Sequence, residues 1–125
     1  MVKLVFAIRR RKELSEKEFH EYWLTRHGPL VRSFAEAMRA SRYVQSHAIS
    51  EDIGTAFRKA RGMKDTYDGV AEVWWESLEV MTAIGGDAQG LEAARALMQD
   101  EAMFIDFENS AMFITEEHEI FNRTK

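Results

Sequence analysis

Cysteine is absent from the 125 residues, and with it go disulfides, thiolate nucleophiles and sulfur-ligated metal centres. Proline occurs once, at Pro29. Positive charge is in the minority. A formal net charge of −4 disfavours nucleic acid or an anionic membrane surface as the main partner. No apolar run approaches the roughly 20 residues of a membrane span, and no signal-peptide pattern marks the N-terminal residues. Gly85-Gly86 and Gly90 do not make a GxGxxG loop after a strand. Neither HxH nor HExxH occurs, and no serine stands between glycines on a strand-to-helix turn. What remains is an ordinary mixture, 46% hydrophobic and 30% charged, which excludes disorder. A soluble, cytoplasmic, single domain over residues 1–125 is expected, burying roughly two-thirds of its unfolded surface.

The richest stretch present is EFHEYWLTRHGPLV, from Glu18 to Val31, with three aromatic rings, two histidines and the proline. Ser15 and Glu18 have the spacing of a capping box at a helix start. Phe19, Tyr22, Trp23 and Leu30 recur at helical spacing and make one apolar face. His20 and His27 lie two turns apart on the side of Trp23 and Leu24, and His20 reads as a surface residue. Gly28-Pro29 predicts a break, because proline disfavours helical geometry before it and has no amide to donate. His27 is then the last residue before that break, a neutral-pH proton switch beside unpaired backbone groups.

Along the rest of the chain, Val2–Ile8 reads as a first strand, with Leu4, Phe6 and Ile8 on one parity. Arg42–Ile49 alternates as a second strand, placing Tyr43, Gln45, His47 and Ile49 together. Glu51–Asp68 is a long charged connection with a helical turn expected near Phe57, and it suggests a mobile lid. Gly69–Glu76 is a third strand with Val70, Glu72 and Trp74 on one face and Ala71, Val73 and Trp75 on the other. Ser77 caps a short helix to Ile84 that Gly85-Gly86 closes, Leu91–Met98 continues as helix, and Ser110–Thr115 is a fourth strand. The order is that of a split βαβ, ferredoxin-like α+β fold: a four-stranded antiparallel sheet with both helices on one face. Strands apolar on both parities need a second cover, and a second copy of the chain would supply it. A homodimer with facing sheets, a dimeric α+β barrel, is expected.

FHEYWLTRHGPLV, RYVQSHAI, YDGVAEVWWESLE and DEAMFIDFENSAMFITEEHEIF together resemble the EthD family of dimeric α+β barrel proteins. The resemblance spans nearly the whole chain and is most specific around His27 and at Asp68–Glu72. It implies a ferredoxin-like homodimer with a small-molecule pocket in each subunit. The wider superfamily holds cofactor-free isomerases, cyclases, dehydratases and monooxygenases, several of which use a histidine in an apolar pocket as acid or base.

The candidate catalytic residues are His27, His47, Glu72 and Asp68, with Tyr22, Trp23, Tyr43 and Trp74 as candidate substrate-binding rings. His27 either touches substrate or merely caps its helix. His47 joins a pocket if its strand face lies under the helices, and is structural if that face meets a partner. Asp68, before a glycine, reads first as a turn residue. Glu72 is costly in mid-strand unless paired or protonated, so it is either an ion-pair partner of an arginine such as Arg42 or a functional carboxyl. The rings, singly core material, would together suit a planar apolar substrate. His118, among three glutamates, reads as solvated. No cofactor and no metal is expected. Two functions follow. The first is a cofactor-free lyase or isomerase moving protons on an aromatic, polyketide-like or lactone substrate, with His27 as acid or base and Glu72 or His47 as its partner. The second is a non-catalytic binding or accessory protein of an ether- or ring-degrading oxidative pathway, with a small monooxygenase as a further alternative.

Overall fold

The computed structural model describes residues 1–63 and 66–125. Four strands, β1 (Val2–Ile8), β2 (Arg42–His47), β3 (Gly69–Trp75) and β4 (Ala111–Glu116), form one sheet in the order β2-β3-β1-β4. Every neighbouring pair is antiparallel. The fold is α+β and ferredoxin-like, as the alternation of apolar residues anticipates.

Register decides which side chains meet the helices. Leu4, Phe6 and Ile8 stand opposite Val73, Ala71 and Gly69, and those three stand opposite Tyr43, Gln45 and His47. Directly opposed residues share a sheet face. This face carries the core, where Phe6, Ile8 and Ala71 pack with Phe19, Trp23, Phe104 and Ile105. The reverse face carries Lys3, Val5, Ala7, Val44, Val70, Glu72, Trp74 and Phe113, and among the described residues no helix covers it.

The first helix, α1 (Glu16–Tyr22), starts at the expected capping box: Ser15 Oγ accepts from the Glu18 amide, and Glu18 accepts from the Ser15 amide. The expected break at Gly28-Pro29 does not occur. The helix passes through one π turn (Trp23–His27) into α2 (Gly28–Ser33) and then α3 (Ala35–Met38). The connection after β2 also differs from expectation, because Asp52–Ala60 is a regular helix, α4, capped by the Glu51 carboxylate. Residues 64 and 65 of that connection lie outside the described residues. Helix α5 (Leu78–Ala83) is capped by Ser77 as expected, and α6 (Ala88–Glu101) is capped by Asp87. Among the described residues no helix is long and apolar enough to cross a membrane.

Candidate active site

Four residues at spacings of four, Phe19, Trp23, His27 and Val31, are all buried. In a regular helix each four-residue step rotates the side chain onward by about 40°, so such a row drifts off the sheet. The π turn places one wider turn in the middle of the row, with the Gly28 amide bonding back to the Trp23 carbonyl. It lets the chain carry Pro29, which has no amide to lose. It also keeps His27 facing the core at 4% exposure.

Helix α6 presents the opposite wall. Its buried stripe runs Gly90, Ala93, Leu97 and continues at the same spacing to Asp100. The His27 Nδ1 lies 2.7 Å from Asp100 Oδ2, and the Tyr22 hydroxyl donates to Asp100 Oδ1 at 2.6 Å. Phe104 packs against the imidazole with ring centres 5.1 Å apart. Burial holds the His27 pKa below its ordinary 6.5, and the Asp100 carboxylate offsets only part of that. The ring is therefore neutral at pH 7. An ionised carboxylate only accepts, so Nδ1 carries the proton and Nε2 carries the lone pair. Among the described residues Nε2 has no hydrogen-bond partner, and it is not sealed away as a buried unpaired atom. A neutral, oriented imidazole with a free lone pair can act as a general base. The hydrogen bond from Tyr22 holds the Asp100 carboxylate in place and raises the pKa of the phenol.

The next residue along α6 is a second carboxyl with a different environment. Glu101 forms no ion pair or side-chain hydrogen bond among the described residues. Burial first, and the neighbouring Asp100 charge second, push its pKa up to about 7. One helix end thus carries an oriented carboxylate and a second carboxyl whose pKa is pushed up to about 7.

A second imidazole cluster lies on β2. His20 Nδ1 and His47 Nδ1 are 2.8 Å apart, and His47 Nε2 is 2.8 Å from Gln45 Oε1. The Gln45 amide nitrogen donates to the Trp23 carbonyl and to the Tyr43 hydroxyl. That fixes its oxygen toward His47, so His47 donates through Nε2 and accepts from His20 through Nδ1. His47 also stacks on Trp23 at 4.3 Å between ring centres. A cavity of about 510 Å³ lies between α2, α3 and β2, with Val31, Met38, Tyr43, Gln45 and Val73 in its lining.

The EthD domain model matches residues 11–108. The chain belongs to the EthD family. Its fold is similar to that of an EthD family protein from Bacillus halodurans at 16% identity and a TM-score of 0.64, covering 94% of this chain and 99% of that one. A dimeric protein of unknown function and ferredoxin-like fold from Bacteroides fragilis is similar at 8% identity and a TM-score of 0.58, over 93% and 95% of the two chains. A point mutant of SnoaB, a cofactor-independent oxygenase from Streptomyces nogalater, is similar at 16% identity and a TM-score of 0.51, over 94% and 93%. Comparison with curated proteins gives no match.

In this EthD chain the residues singled out from sequence do not converge on one point. Tyr22 and His27 meet at Asp100. His47 and Tyr43 lie on the helix-facing side of β2, with buried Trp23 contacting His47 and accepting from Gln45. Asp68 is engaged elsewhere: it accepts from the Arg10 amide at 2.9 Å and pairs with the Arg10 guanidinium at 2.8 Å, as a turn residue does. Glu72 lies on the reverse sheet face in an ion pair with Lys3 at 2.7 Å, so its partner is a lysine of β1 and not Arg42. Trp74 shares that face, between the Lys3 and Arg42 cations. His20, expected on the surface, is bonded to His47. The residues missed were Asp100, Glu101 and Gln45. The signal for Asp100 was present as a charged residue at the next position of the stripe Gly90, Ala93, Leu97. Among the described residues no three His, Asp or Glu side chains are arranged to hold a metal ion.

Proposed function

We propose that this EthD chain is a small-molecule lyase or isomerase that needs no cofactor, in which His27 removes and returns a proton on an enolisable, largely apolar substrate. The observation that carries the reading is the His27–Asp100–Tyr22 chain: a buried neutral imidazole, its tautomer set by a carboxylate, with Nε2 left open. The C–H proton passes to Nε2, the electron pair moves into the adjacent carbonyl as an enolate, and the imidazolium is stabilised by Asp100. Collapse of the enolate then either takes the imidazolium proton at a different carbon or on the other face, which is isomerisation, or expels a β-hydroxyl that leaves as water with that proton, which is dehydration and restores neutral His27. A second copy of the chain covers the reverse sheet face, as the apolar residues there require.

The similarity to a cofactor-independent oxygenase supports one variant, in which the same carbanion meets dioxygen. Both outcomes begin with proton removal, so the test reads that step. The protein is incubated in D₂O with a panel of aryl ketones, β-hydroxy ketones and lactones, and deuterium at the α-carbon is followed by NMR, with dioxygen uptake in parallel. Incorporation catalysed by the wild type and reduced about 10²–10⁴-fold in His27→Asn is the expected result. Equal catalysed incorporation by both proteins would remove His27 from the chemistry, and wild-type incorporation no faster than without protein would favour a binding protein.

A further inference from the structure

A second cavity, of about 260 Å³, opens at the end of α6 against β1 and β4, lined by Phe6, Met98, Glu101, Phe107, Ser110, Ala111 and Met112. Its walls are aromatic rings and thioethers, surfaces that adapt to flat apolar molecules. Met98, Phe107 and Met112 are each about half exposed. Of the two polar side chains, Ser110 is already committed: its oxygen accepts from the Arg9 amide at 2.9 Å and donates to the Asp106 carbonyl at 2.7 Å. Among the described lining residues, Glu101 is the one polar side chain with hydrogen-bonding capacity to spare.

We infer that this cavity is a binding site for an uncharged one- or two-ring molecule whose carbonyl or hydroxyl oxygen is held by the Glu101 carboxyl group. The volume of about 260 Å³ lies just below that of typical small-molecule pockets, roughly 300–1,000 Å³, which limits the ligand to that size. Among the described residues no cation lines the cavity, and the Asp100 charge acts on Glu101, so a carboxylate ligand is repelled. An ammonium ligand would need Glu101 ionised in a place where burial resists ionisation. Below about pH 7 Glu101 is protonated and offers one O–H donor together with a carbonyl acceptor. The titratable groups near it are Asp100 on its own helix and Tyr43 from β2. The lining residues contributed by β1, β4 and the segment between α6 and β4 carry no charge. The inference stands on this cavity and holds whether or not His27 moves a proton.

The test uses 2-acetylnaphthalene as the neutral probe and 1-naphthylmethylamine as the cationic one, titrated at pH 5.5 and 8.5 by calorimetry. The Met98 and Met112 methyl resonances report where binding occurs. The expected result is that the ketone shifts both methyl signals and binds at least tenfold more weakly at pH 8.5. Glu101→Gln, which keeps a donor that does not titrate, should bind it equally at both pH values. Stronger binding of the amine at pH 8.5 would overturn the assignment in favour of a cation site. So would ketone binding that ignores pH in the wild type, shifts confined to other methionines, or no binding of either probe.

Discussion

His27 is bonded to Asp100 and Glu101 follows Asp100 in sequence and feels its charge, and burial acts on the two with opposite sign. It disfavours the carboxylate of Glu101 and the imidazolium of His27. With the Glu101 pKa raised to about 7, the folded chain keeps a proton that the unfolded chain loses near pH 4.5. Stability from this group is therefore full at acid pH, falls as pH rises from about 4.5 to 7, and stays low above that. Glu101→Gln should raise the melting temperature at pH 8, by an effect of at most about 3 kcal/mol, and leave it unchanged at pH 4. A lower melting temperature at pH 8 would mean that the carboxylate has a partner in solution. For His27 the sign reverses: the unfolded chain takes up its proton first, so stability declines as pH falls through 6.5.

At the scale of elements, the π turn and β3 are fitted to each other at a single glycine. A Cβ on Gly69 would stand 2.5 Å from the Trp23 ring and 2.7 Å from the Ser46 carbonyl oxygen. The second of these is backbone and cannot step aside. Gly69→Ala should cost about 1–3 kcal/mol as overpacking, read as a lower urea midpoint with an unchanged slope. An unshifted midpoint would show that helix and strand separate easily. Local patterns were enough to find the strands, because alternation at Leu4–Ile8 and Gly69–Trp75 is a property of neighbours in sequence, and the capping box at Ser15 is equally local. The continuation through Pro29 was not legible, since the rule that proline stops a helix assumes regular i→i−4 bonding and the π turn relieves it. Nor was the His27–Asp100 contact, which joins residues 73 apart and depends on where α6 crosses α1. Glu72 shows the remaining limit. Its cost in mid-strand was visible, but the face it occupies follows only from register against β1.

At the scale of the molecule, helices cover one sheet face and, among the described residues, leave the other bare. Val5 and Phe113 stand opposite each other on the bare face, with Val44 and Val70 beyond them, and Phe113 is 53% exposed. Such a surface in water favours self-association. Light scattering at micromolar concentration should give about twice the 14.5 kDa chain mass. The double variant Val5→Lys with Phe113→Lys should give the single-chain mass while keeping its helical and sheet signatures. A wild-type protein that stays monomeric and folded would remove the need for a second cover. The candidate site lies entirely on the helix side, so the monomeric variant should retain the His27–Asp100 bond.

The protonation state of one ring tests the whole account most directly. Long-range ¹H–¹⁵N spectra of ¹⁵N-histidine-labelled protein, assigned with His27→Asn, report which nitrogen of His27 carries hydrogen and at what pH the ring charges. The account predicts a neutral ring at pH 7, with the proton on Nδ1, the lone pair on Nε2 and a midpoint below 6.5. A ring that is cationic at pH 7, or neutral with its proton on Nε2, would contradict it, because Nε2 would then hold no lone pair to take a proton.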